Sequence, residues 1–290
     1  MFAQYARPSH LVWHLSDTHL NGGLPLYGTV DALGGLEHLF RRARDRGMQI
    51  PDAVVVTGDL ADHGDADSYR RLRAVIEPAT QEWGTRLIWV MGNHDSRAVF
   101  RVELLDEEPD TAPIDRVDLV NGLRIITLDT TVPGRHHGEI GLEQLEWLAG
   151  ELSAPAEHGT LLAMHHPPLP SVLDAAVLVE LREQAALAQV LRGTDVRGIL
   201  AGHLHLSTFG TFAGIPVSVA AATCYTQDLM VAPGALRARD GAQAFNLVHV
   251  HRDTVLHTVS PLEAGTTIRE LTPDETAEQL LQLGVVIPTV

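Results

Sequence analysis

The chain is poor in cysteine, in positive charge and in long hydrophobic runs, and each shortage excludes a class of protein. Its single cysteine, Cys224, excludes an internal disulfide and fits a reducing compartment. No apolar run approaches the roughly 18 residues of a membrane span, and residues 1–10 lack the pattern of a secretory signal. With 21 basic and 37 acidic residues, the formal net charge of -16 repels nucleic-acid backbones. We expect a cytoplasmic protein with no transmembrane segment that binds no nucleic acid.

Five short segments carry most of the residues that suit metal binding and acid–base chemistry. They are Asp17-x-His19, Gly58-Asp59, Gly92-Asn93-His94-Asp95, His165-His166-Pro167 and Gly202-His203-Leu204-His205. Any one of them alone is typical of a turn, where Asp and Asn bond their own backbone. Here, however, each follows an apolar run that predicts a β-strand, and open α/β sheets bind ligands at the carboxyl edge of their strands. The five segments together predict a two-metal hydrolase site.

Hydrophobic periodicity predicts an α/β fold with two sheets. Predicted strands lie at residues 11–15, 53–57, 87–91, 114–120, 123–128, 160–164, 199–201, 207–212, 216–221, 245–251 and 255–259. Predicted helices lie at residues 31–46, 67–76, 141–152 and 178–191, and Pro78 should end the second of them. Asn121-Gly122 predicts a hairpin, and the second half of the chain favours antiparallel pairing. Two sheets packed face to face, with helices outside, accommodate both halves.

The residue types in the five segments indicate which metals the site would bind. Carboxylate, imidazole and amide ligands suit Mn, Fe, Zn or Co better than metals that require thiolate. A bridging carboxylate holds two ions about 3.5 to 4 Å apart, a separation that clamps both oxygens of an in-line phosphoryl displacement. Two divalent cations with two carboxylates and one hydroxide leave the site at roughly +1 inside an acidic protein. The segments therefore predict hydrolysis of a small anionic phosphoester.

The five segments resemble the motifs of the calcineurin-like metallophosphoesterase superfamily, which read D-x-H, G-D, G-N-H-[DE], H and G-H-x-H. The resemblance covers residues 17–205, and the surrounding sequence is similar to the class III cyclic-nucleotide phosphodiesterases as far as Asp228. It implies a two-sheet α/β/β/α sandwich. It also implies a dinuclear-metal phosphodiesterase in which a metal-bridging hydroxide attacks 3′,5′-cyclic nucleotides, cAMP and also cGMP, in line to give 5′-nucleotides.

The same resemblance implies seven metal ligands in two sites. Those of the first site, usually iron, are Asp17, His19 and His205; those of the second, usually manganese or zinc, are Asn93, His165 and His203; Asp59 bridges both. All seven positions hold the expected residue type. The implied cofactors are two divalent or trivalent ions, Fe and Mn, with Zn or Co as alternatives.

His94 has a different implied role, because the family places this histidine beside the scissile phosphate. Its imidazole would stabilise the developing charge and protonate the leaving 3′-oxygen. For Asp95 two interpretations stay open: it orients the His94 ring, or it caps a helix that starts near Ser96. The implied substrate contacts are His19, Asp59, Asn93, His94 and His205.

Three further histidines lie near these motifs. His166 adjoins a predicted ligand, but strand alternation would turn it away, so we favour a supporting or packing role. His136 and His137 are interpreted as solvated residues of the loop at 133–138. That loop, which also carries Arg135, is nevertheless where nucleotide contacts would be sought.

Departures at three positions separate the chain from two neighbouring families. Protein serine/threonine phosphatases carry arginine where His63 stands and glutamate where Asp95 stands, and purple acid phosphatases carry a tyrosine ligand where Asp62 stands. Two alternative functions remain. One is a broader phosphodiesterase that acts on 2′,3′-cyclic nucleotides, glycerophosphodiesters or similar small phosphoesters. The other is a non-catalytic scaffold, which the intact motifs disfavour.

Residues 1–265 are predicted to form the catalytic domain and residues 266–290 a C-terminal helix and tail. Thr272 as N-cap, Pro273 at the first helical position and Glu275 completing a capping box predict a short helix as far as residue 283. The leucines at 280, 281 and 283 favour docking on the parent domain. A dimer contact or a peripheral membrane contact is the alternative. Because the resembling enzymes are often dimers, we expect a homodimer.

Overall fold

Two β-sheets pack face to face in the computed structural model, which describes residues 1–263 and 265–289. In spatial order, the strands of the first sheet are Val255–Pro261 (β13), Ala244–Val250 (β12), His10–Leu15 (β1), Ala53–Thr57 (β2) and Arg86–Val90 (β3). Strands β1, β2 and β3 run parallel, whereas β12 pairs antiparallel with both β1 and β13. The three parallel strands therefore share one carboxyl edge.

The second sheet is mixed in the same way. In spatial order, its strands are Arg116–Val120 (β4), Leu123–Leu128 (β5), Thr160–Met164 (β6), Val196–Ala201 (β7), Ile215–Val219 (β9) and Thr208–Phe212 (β8). The predicted hairpin at Asn121-Gly122 is confirmed, because β4 and β5 pair antiparallel. Strands β5, β6, β7 and β9 are parallel. A short pair, Thr226–Gln227 (β10) and Ala238–Arg239 (β11), was not predicted.

In the part of the chain that the structure describes, five helices cover the outer faces of the sheets, and a sixth, near the C-terminus, has no buried side chain. They are Ala32–Asp45 (α1), Ala66–Trp83 (α2), Arg97–Leu104 (α3), Leu142–Glu151 (α4), Gln184–Leu191 (α5) and Pro273–Gln282 (α6), with a 3₁₀ helix at Asp174–Leu178. Buried side chains of α1, α2 and α3 pack on the first sheet, and those of α4 and α5 pack on the second. A third apolar layer lies between the sheets. The predicted α/β/β/α sandwich is confirmed. Among the described residues, no helix is long and apolar enough to cross a bilayer.

Two predicted helix boundaries are wrong. Helix α2 continues through Pro78, because Ile76, Ala79 and Thr80 beside it are buried in the core, and their packing offsets the bond that proline removes. The helix predicted at 178–191 begins only at α5. The residues just before α5 bond to Gly138 instead: the Gly138 N–H donates to the Glu180 carbonyl, and the Arg182 N–H donates to the Gly138 carbonyl.

The C-terminal helix is confirmed, with the predicted capping box at Thr272. Two of the three leucines do not dock as expected, since Leu281 and Leu283 are 80% and 76% exposed, whereas Leu280 is half-buried. The residues that follow instead pair with the N-terminal segment, where the Ala3 N–H donates to the Val286 carbonyl at 2.8 Å. Ala264, beside the predicted domain boundary, and Val290, the end of the predicted tail, lie outside the described residues.

Candidate metal centre

Each of the five predicted segments begins where a parallel strand ends. In the first sheet Asp17 and His19 follow β1, Asp59 follows β2 and Asn93 follows β3; in the second, His165 follows β6, and His203 and His205 follow β7. The sandwich brings both carboxyl edges together, because side chains from the two sheets lie within hydrogen-bonding distance of each other. The expected convergence of the seven side chains is therefore observed.

The backbone is strained at most of these positions. Five of the seven residues have φ in the left-handed region that non-glycine residues rarely adopt: Asp17 (51°), His19 (42°), Asp59 (50°), His203 (74°) and His205 (52°). Neighbouring loops hold this conformation, since the Asp17 N–H donates to the Gly58 carbonyl (3.0 Å) and the His19 N–H to the Asp59 carbonyl (2.9 Å). Strain of about 1–3 kcal/mol per residue is typical of functional sites.

Two motif glycines are required by close contacts. A Cβ on Gly58 (φ 89°) would lie 2.5 Å from His165 Nδ1 and 2.8 Å from the Gly92 backbone. A Cβ on Gly202 would overlap the Ser16 hydroxyl. The loops approach each other this closely because both residues lack side chains.

One group of predicted ligands surrounds Nε2 of His19. His205 Nε2 lies 3.2 Å from it and Asp59 Oδ2 lies 3.4 Å from it. Asp17 joins through Oδ1, which is 3.4 Å from His205 Nε2. All four residues are buried. They correspond to the first predicted site together with the predicted bridging residue.

A second group surrounds Nε2 of His165. Asn93 Oδ1 and His203 Nδ1 each lie 3.1 Å from it, and Asp59 Oδ2 lies 3.3 Å from it. The same oxygen of Asp59 therefore faces both groups. This is the position that a bridging carboxylate requires.

In each of the four histidines, one ring nitrogen, the inner one, faces the other predicted ligands. The other, called the outer nitrogen, forms a hydrogen bond to the surrounding protein. The pairs are His19 Nδ1 with Asp62 Oδ1 (3.0 Å), His165 Nδ1 with Thr57 O (2.7 Å), His203 Nε2 with Val179 O (2.9 Å) and His205 Nδ1 with Tyr225 O (3.0 Å). All four partners accept, so each outer nitrogen carries the proton. In the neutral rings, the inner nitrogens then present lone pairs to each other. Metal-binding histidines are typically oriented in this way.

The spacing of the inner atoms fits a coordination shell. For metal–nitrogen bonds of about 2.0–2.1 Å, neighbouring ligands of a tetrahedral or octahedral ion lie about 2.8–3.4 Å apart. The observed separations run from 3.1 to 3.4 Å. Lone pairs this close repel unless a cation or proton lies between them. The residues present therefore fit two metal ions.

The charges of the buried groups agree with this fit. Burial disfavours a charge on His19, yet hydrogen bonds to Asp59 and Asp62 outweigh burial and raise its pKa to about 10. Burial also opposes a charge on His165, but Asp59 raises that pKa to about 9. For His205 burial dominates and lowers the pKa to about 4. The carboxylates thus require positive charge between the two groups, and protons on two of the rings supply it in the metal-free protein.

A family model described as calcineurin-like phosphoesterase matches residues 10–207, which is more than half of the chain. The chain belongs to the calcineurin-like phosphoesterase family. It is therefore a metal-dependent phosphoester hydrolase of a family that uses a dinuclear metal centre, and the described residues include candidate ligand clusters for one.

Two relatives are similar over nearly the whole chain. The cAMP/cGMP dual specificity phosphodiesterase of Mycobacterium tuberculosis is 58% identical, covering 98% of this chain and 90% of the relative. A probable cyclic nucleotide phosphodiesterase of Rhodococcus erythropolis is 54% identical, covering 98% and 94%. Among solved structures, a dimetal phosphatase from Danio rerio superposes with a TM-score of 0.61 at 17% identity, covering 90% of this chain and 99% of that one. This last likeness concerns the fold alone.

In this phosphoesterase, His94 lies at the edge of the metal centre. Its ring is 4.8 Å from that of His19, and its side chain is 32% exposed. Nδ1 lies 2.8 Å from the Asp62 carbonyl oxygen, so Nδ1 carries a proton and Nε2 is left for other partners. The His94 N–H also donates to Asp59 Oδ1 at 2.9 Å. The ring is therefore held through Nδ1, and the backbone of the same residue is held by the predicted bridging carboxylate.

Both interpretations of Asp95 are wrong. Its carboxylate accepts hydrogen bonds from the N–H groups of Leu60, Ala61 and Gly92 and from the Tyr69 hydroxyl. The N-cap of α3 is Ser96, which makes no side-chain capping bond in the described part of the chain. Asp95 instead joins the loops after β2 and β3. Burial and the charge of Asp59 raise its pKa to about 6.

The neighbouring histidines divide into two kinds. His166 is buried, and both of its nitrogens have partners: Thr130 Oγ1 at 2.7 Å and the His136 carbonyl at 3.0 Å. This is the supporting role favoured above. His136 is exposed as expected, but its Nδ1 also lies 3.1 Å from Asn93 Nδ2. His137 is not solvated as expected, because its side chain is only 12% exposed and its Nε2 lies 3.0 Å from Glu139 Oε1.

Several supporting groups were not predicted. The carbonyls of Thr57, Val179 and Tyr225 orient three of the rings, but a backbone carbonyl leaves no signature in the residue type. Asp62 had a signal, since it lies three residues after the predicted bridging aspartate, yet its role was not inferred. Cys224 Sγ lies 3.9 Å from the outer nitrogen of His205, so it faces away from the inner lone pairs.

Proposed function

We propose that this phosphoesterase is a phosphodiesterase that hydrolyses 3′,5′-cyclic nucleotides, cAMP and also cGMP, to 5′-nucleotides. The observation that carries the proposal is that one oxygen of Asp59 faces the inner nitrogens of both His19 and His165, each of which has a second histidine nitrogen beside it. The choice of substrate is supported by the names of the two relatives that match 98% of the chain.

The proposed metal ligands are those that the motifs imply. Asp17, His19 and His205 would hold the first ion, Asn93, His165 and His203 the second, and Asp59 would bridge them. We propose Fe in the first site and Mn in the second, with Zn or Co as alternatives. When bound, the two ions supply Lewis acidity to the phosphoryl oxygens and lower the pKa of a water molecule towards neutrality.

The protein's own groups position the substrate and move one proton. Asn93 is oriented by the His136 ring, which lies near its Nδ2 and so turns its Oδ1 to the centre. We propose that the phosphate contacts Asn93 and His94 as well as the inner edges of His19, Asp59 and His205. With Nδ1 bonded to the Asp62 carbonyl, protonated His94 donates from Nε2 to the leaving 3′-oxygen. The product is a 5′-nucleotide.

The test compares three substrates on the purified full chain loaded with Mn. We expect kcat/KM to be highest for 3′,5′-cAMP, lower for 2′,3′-cAMP and lowest for a glycerophosphodiester. Asp59→Asn, which keeps the side-chain shape but removes the charge, should lose activity on all three. If 3′,5′-cAMP were much the worst substrate, the broader phosphodiesterase would be the correct assignment.

We also propose that the enzyme acts in the cytoplasm as a homodimer. Its one thiol, Cys224, is buried, and its pKa is raised by that burial, so it suits a reducing compartment. The exposed Leu281 and Leu283 of the C-terminal segment offer apolar surface for a second copy or for a membrane surface. Sedimentation of the full chain, alone and with lipid vesicles, distinguishes these two contacts; a monomer that ignores vesicles contradicts both.

A further inference from the structure

A cleft of about 310 Å³ opens beside the metal centre, between the first turn of α3 and the loop at 131–134. Asn93, a predicted ligand of the second site, forms part of its wall. Four other cavities in the described part of the chain have no predicted metal ligand in their walls. A substrate whose phosphate lies at the centre could therefore extend into this cleft without leaving the protein surface.

Arg97 lines the cleft, and its guanidinium is fixed by three hydrogen bonds. Nε donates to Asp129 Oδ2 (2.8 Å), Nη1 to the Thr111 carbonyl (3.0 Å) and Nη2 to the Thr131 carbonyl (2.8 Å). The side chain of Asp129 is fully buried, and that of Arg97 is 11% exposed. Each of the three nitrogens already has a partner, so what the group mainly offers a ligand is its planar face. Arginine stacks on flat rings in this way.

This arrangement favours an uncharged flat ring over a second anion. The charge of Arg97 is already balanced by Asp129, and three of its five N–H donors are engaged, so a phosphate would gain less there than at a free arginine. Ala98, Val132 and Pro133 add apolar surface to the wall. The volume is at the lower end of the range for small-molecule pockets, which suits one ring system rather than a whole nucleotide.

One polar group remains available at the rim. Ser96, the N-cap residue of α3, lines the cleft, and its hydroxyl makes no capping bond within the described residues. Its backbone N–H donates to the Tyr69 hydroxyl at 3.0 Å, which fixes its position. A fixed hydroxyl beside a flat apolar slot is suited to the nitrogen-bearing edge of a heteroaromatic ring.

We propose that this cleft is the nucleobase subsite of the enzyme, with the base stacked on the Arg97 guanidinium and its edge hydrogen-bonded to the Ser96 hydroxyl. The inference rests on the proposed function, because it assumes a nucleotide whose phosphate lies at the metal centre. According to this proposal, the base binds in the cleft beside Asn93 and not on the surface around His19.

The proposal is tested by a substitution that fills the cleft with a bulky side chain. Ala98→Phe places a ring where the base would stack, and Val102→Phe places the same ring on the exposed side of the same helix, where Val102 is 43% exposed. Kinetics are measured with 3′,5′-cAMP and with methyl 4-nitrophenyl phosphate, which carries no nucleobase. We expect Ala98→Phe to lower kcat/KM for cAMP by about tenfold or more and to change the other substrate less than about twofold. Val102→Phe should leave both unchanged.

A binding measurement avoids dependence on turnover. In saturation-transfer NMR, the base protons of adenosine, which has no phosphate, should receive magnetisation from the wild-type protein and from Val102→Phe but not from Ala98→Phe. Ser96→Ala should weaken the signal without abolishing it. Equal kinetic losses on both substrates, an undiminished cAMP rate in Ala98→Phe, or no adenosine signal in the wild type would overturn the proposal. If the wild type binds adenosine but does not hydrolyse 3′,5′-cAMP, the proposed function fails and the subsite stands.

Discussion

Asp62 gives the sharpest test of how the metal centre is built. Its Oδ1 lies 3.0 Å from His19 Nδ1, and its side chain is 13% exposed. Its backbone carbonyl oxygen lies 2.8 Å from His94 Nδ1 and accepts a hydrogen bond from that nitrogen. Asp62→Ala therefore removes the partner of His19 and keeps the partner of His94. The change should weaken the first metal site and leave the proton donor in place.

The expected loss of metal affinity or activity follows from the removal of the Asp62 carboxylate. A carboxylate that accepts from a ligating histidine fixes its tautomer and raises its basicity, and its loss typically costs about 10- to 100-fold in metal affinity or activity. That range corresponds to about 1.4–2.7 kcal/mol. Asp62→Asn, which keeps an acceptor oxygen but no charge, should fall between wild type and Asp62→Ala. Asp67→Ala removes a carboxylate of an exposed pair with Arg71 and serves as the control.

The assay separates metal affinity from chemistry. Each variant is dialysed against graded concentrations of a metal buffer; bound metal is measured by mass spectrometry and kcat is measured at saturating metal. We expect Asp62→Ala to lose one ion first and to regain most of its kcat when metal is in excess. Full retention of both ions in Asp62→Ala would refute the role given to Asp62. A kcat that stays low at saturating metal would show that the carboxylate also acts on His94.

Three further predictions address the proton donor, the loop packing and the pH dependence. His94→Ala should lower kcat by about 100- to 10,000-fold with normal metal content, and a similar loss in the exposed His63→Ala would contradict its special role. Gly202→Ala should lower the free energy of unfolding by about 1–3 kcal/mol, because its Cβ has no room; an unchanged melting temperature would contradict the close packing. Cation affinity should rise with pH, because His19 and His165, whose pKa values are raised to about 10 and about 9, are protonated at pH 7 and must each release a proton. The apparent affinity for the cation should increase about tenfold per pH unit for each proton released. Calorimetry in buffers of different ionisation enthalpy measures proton release, and finding none on cation binding would refute this pH dependence.

The sequence was sufficient for the strands and for the convergence of the motifs. Parallel strands share a carboxyl edge, so residues that directly follow β1, β2 and β3 must meet whatever the loops do. The two sheets could be inferred because one set of apolar runs alternates with helices and the other contains a hairpin. This part of the fold depends on local periodicity and on general rules of connection.

The errors concern long-range contacts. Whether Pro78 ends a helix depends on how well the residues after it pack, and their burial is set by the whole core. Apart from the Gly92 N–H, the partners of Asp95 come from the loop after β2 and from α2, so no local pattern around residue 95 could indicate them. The same holds for the Val179 carbonyl, which lies in a stretch predicted to be helical and can accept from His203 because the α-helix begins only at Gln184.

The supporting groups make the two metal sites unequal in charge. The first site contains Asp17 and the shared Asp59, and its His19 is further polarised by Asp62, whereas the second site has the shared Asp59, a neutral amide and two rings that donate to backbone carbonyls. Because a more negative set of ligands favours the more highly charged cation, this inequality favours a trivalent ion in the first site and a divalent ion in the second. The proposed order of Fe and Mn thus has a physical basis in the additional carboxylate of Asp17 and in Asp62, which lies outside the metal-ligand motifs. It also explains how a chain with a net charge of -16 could attract an anion: the acidic groups next to the centre serve to hold cations, and those cations then present positive charge to the substrate.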